Sequence, residues 1–142
     1  MDVYSVIMAG GTGTRLWPLS TEEKPKQTHR LLGDYTLFQD AVQRIEPFTG
    51  YDRIMVVASS HHMPELRRQE PGIPEANFIV EPAGRGTAPC IGLVAAHLAK
   101  TDPESVMVVL TADHYIGDVE GFRKALEAAV EVAFKGHLVA RA

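Results

Sequence analysis

The run Ala9-Gly10-Gly11-Thr12-Gly13-Thr14-Arg15 has the residue types of an anion cradle. Three glycines within four positions let the backbone approach a ligand closely, and the arginine adds a fixed charge that can pair with phosphate oxygens. It matches neither of the two commonest loops of this kind. A Walker loop closes on Gly-Lys-Ser/Thr where this one closes on Gly13-Thr14-Arg15, and a dinucleotide fingerprint requires a third glycine where Leu16 stands. Taken alone, the run is also readable as a Gly-rich turn with a solvated arginine. Two further strings follow apolar runs: Glu81-Pro82-Ala83-Gly84-Arg85-Gly86-Thr87-Ala88-Pro89 and Thr111-Ala112-Asp113-His114. Glu81 could simply suit the dipole of a following helix, and Asp113 could cap or stabilise a loop. His61-His62 looks like a metal pair, yet adjacent side chains diverge and no third ligand is suggested nearby. A solvated loop leading into a helix is expected there. Cys90, after Pro89 at the start of an apolar helix, reads as packing rather than as a nucleophile.

These strings need a scaffold, and the pattern around them supplies one. Val3-Tyr4-Ser5-Val6-Ile7-Met8, Arg53-Ile54-Met55-Val56-Val57-Ala58, Phe78-Ile79-Val80 and Val106-Met107-Val108-Val109-Leu110 are near-continuous apolar runs, as strands covered on both faces of a parallel sheet require. Helical segments alternate with them. Thr36-Leu37-Phe38-Gln39 fits a capping box, and Phe38, Ala41, Val42 and Ile45 continue a helical stripe that Pro47 is expected to stop. The nearly uncharged stretch from Thr87 to Lys100 predicts a helix buried on most sides. Phe122, Ala125, Leu126, Ala129, Val130 and Ala133 predict an amphipathic helix ending near Gly136. Alternating strands and helices imply βαβ units and a doubly wound, mostly parallel α/β sheet of Rossmann-like type. Ligands in such sheets sit outside the carboxyl ends of the strands, where each of the three strings falls.

The longer string Gly10-Gly11-Thr12-Gly13-Thr14-Arg15-Leu16, with Pro18-Leu19 and then Pro25-Lys26-Gln27, resembles the signature of sugar-1-phosphate nucleotidyltransferases. The resemblance implies that the glycine loop and Arg15 hold a nucleoside triphosphate and that Lys26 contacts the phosphates at the reacting centre. Lys24 has no counterpart and reads as solvated. The block from Glu81 to Pro89 resembles that of mannose-1-phosphate guanylyltransferases, with Gly86 where asparagine is usual. Residues Glu81, Pro82, Arg85, Thr87 and Ala88 are thereby implied in nucleotide binding. The acceptor-only carboxylate of Glu81 suits guanine, which presents adjacent N1–H and N2–H₂ donors, better than thymine or uracil with one ring N–H between carbonyls. Thr111-Ala112-Asp113-His114 is similar to the family's Pro-Ala-Asp-His block, which implies Mg²⁺ on Asp113, a hard cation suited to carboxylate and phosphate oxygens. His114 is expected to orient the loop, its side chain pointing away from the metal. Thr28, where an aromatic is usual, and Thr111 are local departures.

The reaction so implied is attack by a phosphate oxygen of mannose 1-phosphate on the α-phosphorus of GTP, giving GDP-mannose and pyrophosphate by positioning and charge neutralisation. A glucose-1-phosphate thymidylyl- or uridylyltransferase, or a non-catalytic nucleotide-binding regulatory subunit, are the alternatives. The resemblance runs from about Val3 to Val139. The family's Gly-Tyr-Gly-Tyr-Ile stretch and its further metal-binding aspartate are not in the sequence. Residues 1–142 are therefore expected to be the nucleotide-binding portion, without the acceptor-sugar portion, which puts turnover by this chain alone in question. An interrupted sheet would leave an edge and apolar surface near Leu138 and Val139, predicting a homo-oligomer. With 14 Lys plus Arg against 18 Asp plus Glu, the charge of −4 and the lack of a dense basic run disfavour nucleic acid and anionic membrane as partners. One cysteine excludes an internal disulfide framework and a Cys-based zinc site. No apolar run approaches the roughly 18 residues of a membrane span, and no signal-peptide pattern opens the chain, so a cytoplasmic protein is expected.

Overall fold

Four β-branched, apolar runs become the strands β1 (Val3–Met8), β2 (Ile54–Ser59), β3 (Phe78–Glu81) and β4 (Val106–Thr111), all parallel, in the order β3-β2-β1-β4. The computed structural model describes residues 2–10, 23–24, 28–30, 33–83 and 86–140. Between and after the strands lie helices α1 (Leu37–Thr49), α2 (Met63–Gln69), α3 (Thr87–Thr101) and α4 (Val119–Ala133). Alternation along each strand splits the core in two. Ile7, Ile54, Val56 and Ala58 pack with Phe38, Val42, Ile45, Met63 and Leu66 of α1 and α2, and Leu126 of α4 joins them. Val6, Met55 and Val57 face the other way, against Cys90, Val94 and Leu98 of α3. Each such fully buried large side chain stabilises the fold by about 1.5–3 kcal/mol relative to exposure.

Helix α1 begins as its sequence predicts. The Thr36 hydroxyl accepts from the Gln39 backbone N–H at 3.1 Å, and the Gln39 side chain accepts from the Thr36 N–H at 3.0 Å. Pro47 does not stop the helix, which runs on to Thr49. Proline's ring is compatible with helical φ, and the turn closes instead where Gly50, at φ +77°, donates its N–H to the Glu46 carbonyl at 2.7 Å. Helix α3 also departs from expectation, since only Cys90, Val94 and Leu98 are buried. Helices α1 and α2 occupy the opposite face of the sheet, so among the described residues α3 meets the sheet along one stripe and has no helical neighbour to cover the rest. In α4 the predicted stripe from Phe122 to Ala133 is the buried or half-buried side. The helix starts three residues earlier than that stripe, at Val119, capped by the Asp118 carboxylate accepting from the Gly121 N–H at 2.9 Å.

The connection β3-α3-β4 carries the chain past β2 and β1 to the far side of β1. Strands β1 and β4 are therefore neighbours whose following helices, α1 and α4, share a face, while α3 lies on the other. The reversal of strand order falls at β1, and the crevice beside it is where doubly wound sheets take ligands.

Candidate functional site at the carboxyl edge of the sheet

The backbone leaves β1 under control from both sides. The Ala9 N–H donates to the Val57 carbonyl of β2 at 2.9 Å, and the Ala112 N–H, just past β4, donates to the Met8 carbonyl at 3.2 Å. Gly10 emerges exposed at this point. Glu81, the last residue of β3 and in register with Ser59, reaches back toward it, so that a Cβ on Gly10 would lie 3.2 Å from the Glu81 Oε2. A glycine here lets the carboxylate sit against the loop backbone. Glu81 also faces the first turn of α3. The Cys90 thiol is buried in the core beside Val6, Met55 and Val57, and burial raises its pKa, with the Glu81 charge raising it further.

The start of α3 explains a departure from the family pattern. Gly86 is its N-terminal cap at φ +95°, in the left-handed region, with no side-chain capping bond. That backbone conformation is one a glycine adopts without the steric cost other residues meet. Thr87 and Ala88 follow, exposed at the helix start, and Pro82 is exposed just after β3.

On the other side of β1, Asp113 follows β4 with a side chain 43% exposed. The His114 ring turns back to it, Nε2 lying 3.7 Å from Asp113 Oδ1, contrary to the expectation that the ring points away. Residues 113–115 lie past the end of β4 and are not held to strand alternation. The His114 carbonyl accepts from both Nη1 and Nη2 of Arg44 at 3.3 Å. Arg44, on α1, is 7% exposed, and its guanidinium lies 5.5 Å from the centroid of the Phe122 ring on α4. Its pKa is lowered by burial, with Asp40 acting in the opposite direction. Nε of Arg123 donates to the Arg44 carbonyl at 2.9 Å. A cleft of about 470 Å³ opens beside these groups, lined among others by Asp40, Arg44, His114, Tyr115 and Arg123.

Ala9, Gly10, Glu81 and Asp113 thus share the carboxyl edge of the sheet. Gly11, Thr12, Gly13, Thr14, Arg15, Lys26 and Arg85 lie outside the described residues. Lys24 is exposed, and with His29, Arg30 and Arg68 it lines a second cleft of about 570 Å³. His62 is a correction. It caps the start of α2 as a loop residue leading into a helix, but it is 7% exposed rather than solvated, with Nδ1 3.3 Å from the Ser59 hydroxyl. The His61 and His62 rings stand edge to face, and among the described residues no group of three His, Cys, Asp or Glu side chains could enclose a metal. Arg44 is the component that sequence reading misses, since a basic residue at the margin of an apolar stripe looks solvated. Leu138 is fully exposed and Val139 40% exposed, and among the described residues β4 forms one edge of the sheet. No described helix is long and apolar enough to cross a membrane.

Comparison with known proteins agrees with this architecture. A family model described as "Nucleotidyl transferase" matches residues 4–141. A mannose-1-phosphate guanylyltransferase of Escherichia coli K12 is 42% identical over 141 residues, which is 96% of this chain and 29% of that protein. The alginate biosynthesis protein of Pseudomonas putida is 38% identical, over 94% of this chain and 28% of that protein. The chain therefore spans about three-tenths of the length of the curated relatives it matches. A crystal structure described as a mannose-1-phosphate geranyltransferase from Thermus thermophilus superposes with a TM-score of 0.83 at 35% identity, covering 94% of this chain and 38% of that one. A putative glucose-1-phosphate thymidylyltransferase from Bacillus anthracis shares the fold, with a TM-score of 0.65 at 24% identity over 89% of this chain and 51% of that one.

Proposed function

The chain belongs to the nucleotidyl transferase family, and from that premise we propose that it is the nucleotide-holding part of a sugar-1-phosphate nucleotidyltransferase that uses GTP, with mannose 1-phosphate as the acceptor. The observation that carries the choice of base is Glu81, a carboxylate set against the Gly10 backbone at the edge where the nucleotide would enter. An acceptor-only group pairs with the adjacent N1–H and N2–H₂ of guanine, whereas uracil and thymine would set carbonyl oxygens against it. Asp113 fits Mg²⁺, because that ion takes one or two carboxylates and completes its shell with water and phosphate oxygens. Bound there, it would neutralise charge on the phosphates. Gly10 and the residues after it would bring backbone N–H groups to the triphosphate, Arg15 would hold the outer phosphates that leave as pyrophosphate, and Lys26 would offset charge at the α-phosphorus. The acceptor attacks in line, so the protein orients two anions and needs no covalent intermediate.

The proposal includes a cytoplasmic location and self-association through the β4 edge and the apolar surface at Leu138 and Val139. A monomeric mass by light scattering at high micromolar concentration would remove that part. The central test is Mg²⁺-dependent protection against thermal unfolding by GTP, compared with dTTP and UTP. A larger shift with GTP is expected, and equal shifts for the three would sink the guanine assignment. Pyrophosphate release with and without mannose 1-phosphate then separates turnover from nucleotide holding alone.

A further inference from the structure

We infer that Arg44 is a positioning residue for Asp113, restricting the backbone that aims its carboxylate by holding the carbonyl of the next residue, His114. This rests on the proposed role of Asp113 in holding Mg²⁺ with the nucleotide.

Asp113 lies between two anchors. On its amino side the Ala112 N–H is tied to the Met8 carbonyl at 3.2 Å, which continues the β4 to β1 ladder by one residue. On its carboxyl side the His114 carbonyl takes both Nη atoms of Arg44 at 3.3 Å. With the Ala112 N–H and the His114 carbonyl both held, the backbone is restrained on either side of Asp113, and that backbone sets the direction in which its side chain leaves the chain. The clamp is itself held. Arg44 is 7% exposed, its guanidinium carbon lies over the Phe122 ring 5.5 Å from the centroid, and its own carbonyl accepts from Arg123 Nε. Two N–H groups on one carbonyl use the fork of a guanidinium, which a lysine ammonium lacks. A buried arginine requires a partner for its donors, and the partner here is a main-chain oxygen beside the proposed metal ligand rather than a carboxylate. Asp40 sits one helical turn before Arg44 and lines the same cleft, so it balances the charge without occupying the two Nη donors toward His114.

The test uses the 142-residue chain and the variants Arg44→Lys and Phe122→Leu, the second of which keeps the arginine but removes the ring beneath it. Protection by GTP against thermal unfolding is titrated with Mg²⁺, and GTP binding is measured separately in EDTA. Arg44→Lys is expected to raise the Mg²⁺ concentration for half-maximal protection about tenfold and Phe122→Leu by a few-fold, with GTP affinity in EDTA unchanged. Amide hydrogen exchange at residues 113–115 should quicken in the same order. Should Arg44→Lys fail to fold, Phe122→Leu carries the test. A lowered melting temperature with an unmoved Mg²⁺ midpoint would make Arg44 a packing residue only and overturn the inference while leaving the nucleotide reading intact. Parent protein that shows no Mg²⁺-dependent protection by GTP would overturn both.

Discussion

Replacing Glu70 by glutamine should stabilise the protein at alkaline pH and leave it almost unchanged in acid. Glu70 caps the end of α2, is 7% exposed, and burial pushes its carboxyl from 4.5 up to about 7. Its charge is close enough to contribute to the raised pKa of the Tyr51 phenol, where burial is the larger cause. A carboxyl raised on folding favours the folded state through its neutral form. That contribution is complete below pH 4.5, declines as pH rises, and is gone above about pH 7. The difference between 4.5 and about 7 corresponds to ~3 kcal/mol as an upper bound. A residue at a helix end can turn partly toward water once ionised, so about 1–3 kcal/mol is the expected range. Glutamine keeps the shape and cannot ionise. Urea unfolding of parent and Glu70→Gln at pH 4, 6 and 8 should give nearly equal stabilities at pH 4 and a gain for the variant of about 1–3 kcal/mol at pH 8. Other carboxylates titrate over this range in both proteins, and the difference between the two isolates Glu70. A difference that stays constant across the three pH values would refute the assignment of the penalty to ionisation at this site.

Glu81→Gln should weaken GTP binding by roughly 10- to 100-fold, the loss of about 1.5–3 kcal/mol expected for hydrogen bonds to a charged group, with UTP affinity little changed; isothermal titration reads both, and an equal loss for the two nucleotides would dissociate Glu81 from base choice. Thr36→Ala removes the hydroxyl that accepts from Gln39 and donates to the Gln69 side chain at 2.6 Å. Urea unfolding should show a loss of about 1–2 kcal/mol, largely restored by Thr36→Ser, and a loss below about 0.5 kcal/mol would mean that water replaces the cap.

The parts of the fold that were legible in the sequence depend on near neighbours. Runs such as Ile54-Met55-Val56-Val57 announce a strand covered on both faces, and the Thr36 to Gln39 spacing announces a helix start, because both patterns close within a few residues. Pro47 misleads because it stands only two residues from the end of the helix, where its ring fits helical φ. The burial of α3 is not legible for a related reason: an apolar composition reports which surfaces want cover, whereas the single stripe of Cys90, Val94 and Leu98 reports how many neighbours are present among the described residues. Arg44 was illegible because its partner, the His114 carbonyl, is 70 residues away and is a main-chain atom, which leaves no trace in residue types. The carboxyl-edge location of Glu81 and Asp113 followed from strand boundaries, but their approach to β1 from opposite sides required the strand order β3-β2-β1-β4.

That strand order has an electrostatic consequence for the proposed function. Glu81 comes to the crevice over β2 and Asp113 comes alongside β1, so two carboxylates border a place meant for a polyanion, in a chain whose formal charge is already −4. The arrangement is workable only if the two acids meet different parts of the nucleotide. Glu81, pressed against Gly10 and near the start of α3, suits the uncharged base, whose N–H groups need an acceptor. Asp113, with its backbone held from both sides and its carboxylate 43% exposed, suits a cation that converts its negative charge into affinity for phosphate. On the proposed function, Asp113 would repel a triphosphate without that cation and would attract it with the cation bound. Binding of GTP should therefore respond to Mg²⁺ more steeply than binding of guanosine, which carries the base and no phosphates.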